Sequence, residues 1–210
     1  MQVAAMNQRT LQKRETRMRM LNVALEMFAS RGFEGSSLRD IAAAAQVNHG
    51  MIKYHFENKD QLWRAAVTLL FDRMEEELGG HHPEDDGANP VTLTKNFLRR
   101  YVRYCAKHPE HARIMIQESI RDNDRLDWAV DTFIRPQHRA LGFERSKAAN
   151  KGTWPDIPEA SLAFIVVASS QLPFVLAPEL QRIYGVDIMA PENVEKHADA
   201  MLELFFSHHA

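Results

Sequence analysis

Apolar residues recur at spacings of three and four along almost the whole chain. Met18, Leu21, Leu25 and Phe28 form one such series, and Gly32 ends it. Leu62, Ala66, Leu69, Leu70 and Met74 predict a helix from about residue 59 to 78. Leu93, Phe97, Tyr101, Tyr104 and Cys105 predict the next. Another starts at Pro109 with Ala112, Met115 and Ser119 on one face, and a further one carries Leu126, Val130, Phe133, Ile134, Gln137 and Leu141. Segment 159–176 is apolar nearly all round, the mark of a helix buried on every side. Pro173 near its end should kink or frame it. Residues 178–191 predict a short helical turn within a loop. The last helix, about 192–207, carries Val194, Ala198, Met201, Leu202 and Phe205. Stretches 78–90 and 150–158, rich in Gly, Pro and polar residues, predict exposed loops. No stretch alternates with period two long enough to predict a strand. The pattern describes an all-α chain of about nine helices, in a small front part and a larger back part.

Between the first two long helices lies SSLRDIAAAAQVNHGMIKYHFENKDQL, residues 36–62. Ser37 followed by Asp40 makes a capping-box-like start. Leu38, Ile41, Ala42 and Ala45 then give a very short helix one apolar face. Asn48 is a good N-cap for a second short helix, whose apolar positions are Met51, Ile52 and Phe56. Two helices of about two turns, joined by three or four residues, follow the helix-turn-helix plan. Neither is stable alone, since isolated helices below ~12–15 residues are marginal in water. Both need the first long helix as a packing partner. The second short helix turns His49, Lys53 and Tyr54 outward, and Gly50 lets another backbone approach closely. Lys59 opens the next helix, where its charge opposes the helix dipole unless an anion docks beside it.

Charge sharpens this picture. The 210 residues carry a formal charge of −2, but the two parts differ in sign. Residues 1–62 hold nine Lys/Arg and six Asp/Glu, a net of +3, while residues 63–210 hold 17 and 22, a net of −5. A basic front suits a polyanionic partner. The densest part is Arg9, Lys13, Arg14, Arg17 and Arg19 against Glu15 alone, which equally suits a solvated helix start. The longest apolar run, Leu162–Ala168, is far short of the ~20 residues that cross a bilayer, so no membrane span is expected. The first twenty residues hold basic groups but no apolar block, unlike a secretory signal. A single cysteine, Cys105, forms no internal disulfide, and a reduced, cytoplasmic setting fits best.

The segment GFEGSSLRDIAAAAQVNHGMIKYHFENKDQL resembles the DNA-binding domain of the TetR (tetracycline-repressor-like) family of bacterial regulators. The residues that carry the likeness are Gly32-Phe33-Glu34, Ser36 to Ala42, Val47-Asn48, Tyr54-His55-Phe56 and Lys59-Asp60 with Leu62. One residue departs from the pattern: Gln46 stands where the turn usually has glycine. A left-handed conformation there costs about 1–2 kcal/mol. The resemblance implies a three-helix DNA-binding domain at residues 1–62 and a ligand-binding and dimerisation domain at 63–210. It implies that Ser37, Tyr54, His55 and Lys59 contact phosphate, while Asn48, His49, Gly50 and Lys53 approach base edges of double-stranded DNA. For His55, packing beside Phe56 is an equal alternative. The resemblance also implies a pocket for a small-molecule effector, with candidates Phe97, Tyr101, Tyr104, Met115, Trp128, Phe133, His138, Phe164, Gln171 and Phe174. For any one of them, plain core is the default.

The remaining chemistry is weaker. Ten histidines invite a metal reading, and His108-Pro-Glu-His111 and HHPEDD at 81–86 gather donors. Neither has the three or four converging ligands a metal needs, so solvated histidines are expected, with no metal and no cofactor. No G-x-S-x-G turn is present, and Cys105 on an apolar stripe reads as a structural thiol. Segments 159–177 and 192–207 carry apolar stripes suited to pairing with a second copy in a four-helix interface. The expectation is a ligand-responsive DNA-binding regulator, most simply a dimeric repressor on a palindromic operator. A metal or thiol enzyme on an all-α scaffold, and a helical adaptor without DNA binding, are the alternatives.

Overall fold

The computed structural model describes residues 2–141 and 157–206. The described residues are helical: α1 (Gln2–Arg31), α2 (Leu38–Ala44), α3 (His49–Phe56), α4 (Lys59–Leu78), α5 (Pro90–Lys107), α6 (Pro109–Arg121), α7 (Asp124–Ala129), α8 (Arg135–Leu141), α9 (Glu159–Val175), α10 (Ala177–Tyr184) and α11 (Pro191–Phe206). A π-helical turn, Val130–Ile134, joins α7 to α8 without a break. Among the described residues there is no strand. The predicted loop at 150–158 lies outside the described residues except for Ile157 and Pro158, and so do His208 and His209.

The front is a three-helix arrangement built on α1. Leu21, Leu25 and Phe28 of α1, Ile41 and Ala42 of α2, and Ile52 and Phe56 of α3 are all buried together. Burying one large apolar side chain contributes about 1.5–3 kcal/mol. The shared core therefore stabilises two helices too short to persist alone. The same cluster continues through Leu62, Trp63, Val67, Leu70 and Phe71 of α4 and takes in Ile114 of α6 and Ala129 of α7. Gly32 ends α1 with φ +74, and a Cβ there would meet the Gln117 side-chain oxygen at 2.7 Å. The left-handed backbone favours glycine here, while the Gln117 amide is the movable end of a flexible side chain.

A second cluster joins Leu98 and Val102 of α5, Leu162, Val166 and Phe174 of α9, and Val194, Ala198, Met201 and Phe205 of α11. Two expectations change here. First, α9 is not buried on every side within one chain: Phe164 is 71% exposed, Ile165 45% and Leu172 42%. Only its Leu162, Ala163, Val166, Ser170 and Phe174 face is covered. Second, residues 177–184 form a full helix, α10, bent by 72° from α9 just past Pro173. The 78–90 stretch has no buried residue, in keeping with the expected exposed loop, and its acidic residues have partners. Arg100 donates to Glu84 and to both carboxylate oxygens of Asp85, and Asn96 donates to the Glu84 carbonyl and to Asp85. Among the described residues, no single helix is long and apolar enough to cross a membrane.

Candidate nucleic-acid interface

Three side-chain caps set the local geometry. Ser37 Oγ accepts from Asp40 N–H at 3.1 Å, Asn48 Oδ1 from Met51 N–H at 2.9 Å, and Asn58 Oδ1 from Gln61 N–H at 2.9 Å. They start α2, α3 and α4, and each contributes about 1 kcal/mol. The turn between α2 and α3 closes through Gln46 N–H to Ala43 O at 3.1 Å and Val47 N–H to Ala42 O at 3.0 Å. Gln46 adopts φ 55, the left-handed conformation its glycine-like position demands.

The eight residues expected at DNA fall into two groups. His49, Gly50, Lys53 and Tyr54 share the outer face of α3 and are exposed, as is Ser37 at the start of α2. Tyr54 is 70% exposed, and Lys13 of α1 donates to its hydroxyl at 3.3 Å. The other three, like Ser37 with its α2 cap, have work inside the fold. Asn48 spends its side-chain oxygen on the α3 cap. His55 sits edge-on to Tyr54 and beside Phe56, and its Nε2 is buried without a hydrogen-bond partner. Burial first, then the nearby Lys13 and Arg17 charges, holds its pKa below the usual value, so the ring is neutral. Lys59 donates to the Phe33 carbonyl at 3.0 Å, lies 4.2 Å over the Phe33 ring, and approaches Glu34 at 3.7 Å. Its charge at the start of α4 is thus satisfied by the α1–α2 loop without an outside anion.

Contacts invisible in the sequence tie this interface to the rest of the chain. The Phe33 ring lies between Lys59 and the Arg125 guanidinium, which is 3.7 Å from its centroid. Arg125 in turn pairs with the buried Glu118 at 3.1 Å, and Gln117 donates to the Ala29 carbonyl at 2.9 Å. Helix α4 is held along its length. Trp63 meets Trp128 edge-on, and Phe71 stacks on Phe133 with centroids 4.4 Å apart. The Tyr104 hydroxyl donates to the Leu70 carbonyl at 3.1 Å and lies 2.8 Å from His111 Nδ1. One hydroxyl proton serves one acceptor, so His111 Nδ1 carries the proton of that second bond. Near the α4 C-terminus, Glu77 accepts from Lys107 at 2.7 Å and contacts His108 Nε2 at 3.1 Å, while His108 Nδ1 meets Glu110.

The ten effector-pocket candidates do not come together. Met115, Trp128 and Phe133 pack on the front cluster. Phe97, Tyr101, Tyr104 and Phe174 belong to the back cluster, where Gln171 donates to the Tyr101 hydroxyl at 2.7 Å. His138 is half-buried on α8. Phe164 points outward, because α9 turns its opposite face to the core. An open cleft of about 590 Å³ does exist between α1, α4 and α7, walled by Arg17, Met18, Arg64, Thr68, Leu69 and Trp128. Among the described residues, no three His, Cys, Asp or Glu side chains converge as a metal site. Burial pushes the Cys105 thiol well above its usual pKa, the opposite of an activated nucleophile.

Comparison with known proteins gives the same reading of the front. Residues 20–66 match the model of the bacterial regulatory proteins, tetR family. The HTH-type transcriptional repressor Rv3405c of Mycobacterium tuberculosis is 41% identical over 66 residues, which cover 31% of this chain and 35% of that protein. The match thus spans about a third of the length of the first such relatives. The HTH-type transcriptional regulator RutR of Escherichia coli is 24% identical over 174 residues, covering 80% of this chain and 78% of RutR. Among solved structures, AibR in complex with isovaleryl coenzyme A and operator DNA superposes with a TM-score of 0.70 at 21% identity. It covers 91% of this chain and 98% of AibR. That likeness concerns the fold alone. The three caps fall inside the matched segment, so residues 20–66 form a helix-turn-helix unit similar to that of the bacterial regulatory proteins, tetR family.

Proposed function

We propose that the protein is a cytoplasmic transcription regulator, a repressor that binds a palindromic operator as a homodimer and is released by a small, mostly apolar effector. The observation that carries this reading is the exposed row His49, Gly50, Lys53 and Tyr54 on a capped helix whose other face is core. Such a helix offers hydrogen-bond donors to the major groove while its neighbours supply phosphate contacts. In this reading residues 1–62 bind DNA and residues 63–210 bind ligand and the second copy. Lys53 and His49 read bases. Ser37 and Tyr54 meet phosphate, and Asn48, His55 and Lys59 act by fixing the frame around them.

The second copy covers the outer face of α9, with Phe164, Ile165 and Leu172, together with exposed Leu204 of α11. Phe164 therefore acts as an interface residue here. Helix α4 transmits the effector signal. It starts beside the α1–α2 loop and ends in the Glu77–Lys107–His108 cluster, so a ligand that tilts it changes the spacing of the two α3 helices. A dimer must match both half-sites at once, and a small change of spacing weakens the fit at both. The test is selection of duplexes from a random pool by the purified protein. Enrichment of an inverted repeat supports the reading, and a pool that stays random refutes it.

A further inference from the structure

The basic stretch at the start of α1 lies outside the buried core. Among residues with described side chains, the first buried one in α1 is Met20, and Leu11 is 53% exposed. Lys13 lies about 10 Å beyond Met20 along the helix axis, at 1.5 Å per residue. Lys13, Arg14 and Arg17 are exposed, and among the described residues none of them makes an ion pair, whereas Lys59 and Arg64 nearby both do. Lys13 with Arg17 and Arg14 with Arg17 sit at helical spacings of four and three, so in the free protein these charges repel one another.

The stretch is nonetheless aimed. Lys13 Nζ lies 3.3 Å from the Tyr54 hydroxyl and 5.1 Å over its ring, and the Arg17 guanidinium lies 5.2 Å from the Phe56 ring centroid. Both residues lower the pKa of His55. Lys13 and Arg17 therefore border the C-terminal half of α3, where Lys53 and Tyr54 are exposed, and Arg14 is exposed next to Lys13 on the same helix. Their combined field continues the positive surface of α3 outward along the first helix. A row of phosphates relieves the repulsion and supplies the anionic partners that the described residues do not.

We propose that the projecting part of α1 is a second DNA-contacting element. Lys13 and Arg14 neutralise backbone phosphates flanking each half-site, and Lys13 also fixes the Tyr54 hydroxyl for its own phosphate. This rests on the DNA-binding reading above and extends it to a longer, partly sequence-independent footprint. The partner is the duplex backbone, so the contribution is electrostatic and the flank sequence does not matter.

The test compares wild type, the Lys13→Gln/Arg14→Gln double variant and Lys95→Gln, a charge control on α5. Each is titrated with a duplex ending at the outer edges of the selected repeat and with one extended by flanking base pairs. Wild type and Lys95→Gln should bind the extended duplex more tightly, whatever the flank sequence. The double variant should lose that advantage. Its slope of log K against log salt should be shallower by about 3.6, or 0.9 for each of the four phosphates that the dimer then leaves unneutralised. Wild type that binds both duplexes, with a double variant equal to it in affinity and slope, overturns this proposal alone. Wild type that binds no duplex overturns the DNA-binding reading and this proposal together.

Discussion

His111 makes the stability of this protein sensitive to mild acid. Its ring is buried at the junction of α4, α5 and α6, with Phe71 edge-on at 4.6 Å and the Tyr104 hydroxyl at Nδ1. Burial holds its pKa at about 4, against an ordinary 6.5, so the folded chain keeps the ring neutral. A folded pKa below the unfolded one stabilises fully above pH 6.5, and that stability drains away as pH falls toward 4. At pH 5 the unfolded ring is almost all protonated and the folded ring is not. The loss relative to pH 7.5 is about 2 kcal/mol, at 1.36 kcal/mol per pH unit. The neighbouring His108 works in the opposite sense. Its contacts with Glu110 and Glu77 raise its pKa, so its contribution is present at low pH and fades as pH rises. His111→Asn separates the two, since it keeps a polar atom near Nδ1 but cannot titrate. Urea unfolding at one protein concentration, from pH 7.5 to 5, measures the effect. The variant loses some stability at pH 7.5 but should lose about 2 kcal/mol less than wild type on going to pH 5. Parallel pH profiles for the two proteins would refute a neutral, buried His111.

Three further outcomes are expected. Gln46→Gly relieves the left-handed conformation at φ 55; strain of about 1–2 kcal/mol, less the extra unfolded-state entropy of glycine, leaves a gain of roughly 0.5–1 kcal/mol in a melting experiment. Phe164→Glu, on the exposed face of α9, should leave helical content intact by circular dichroism and shift the sedimentation coefficient from dimer to monomer; an unchanged dimer would move the interface elsewhere. Once an effector is found, titrating it with and without operator should give affinities differing by the same factor by which it weakens DNA binding, because coupling is reciprocal.

Local features of the fold are legible in the sequence because they depend on neighbours a few residues apart. Ser37 and Asn48 cap the helices they precede, Gln46 takes the conformation its place in the turn requires, and the outward residues of α3 follow from spacing alone. What stays hidden depends on pairs distant in the chain. Lys59 looks unsatisfied at a helix start, yet its partner stands 26 residues earlier, in the carbonyl of Phe33. Arg125 against Phe33, and Tyr104 between Leu70 and His111, leave no periodic trace. Periodicity also gives a helix its faces without saying what covers each one. The all-round apolar α9 therefore reads as buried, and its pocket candidate Phe164 lies on the uncovered side. The candidate site is legible to the extent that exposure decides it, at His49, Gly50, Lys53 and Tyr54. Asn48, His55 and Lys59 are harder to assign, because capping and packing use the same polar atoms as recognition does.

The central claim is that the outer face of α3 reads DNA sequence. Measuring affinity for every single-base-pair change in the selected repeat, for wild type and for Lys53→Ala, tests it directly. The account predicts that the variant loses discrimination at one base pair in each half-site, by about 1–3 kcal/mol, and keeps it elsewhere. A variant that binds every sequence more weakly by the same factor, with all preferences intact, would contradict it.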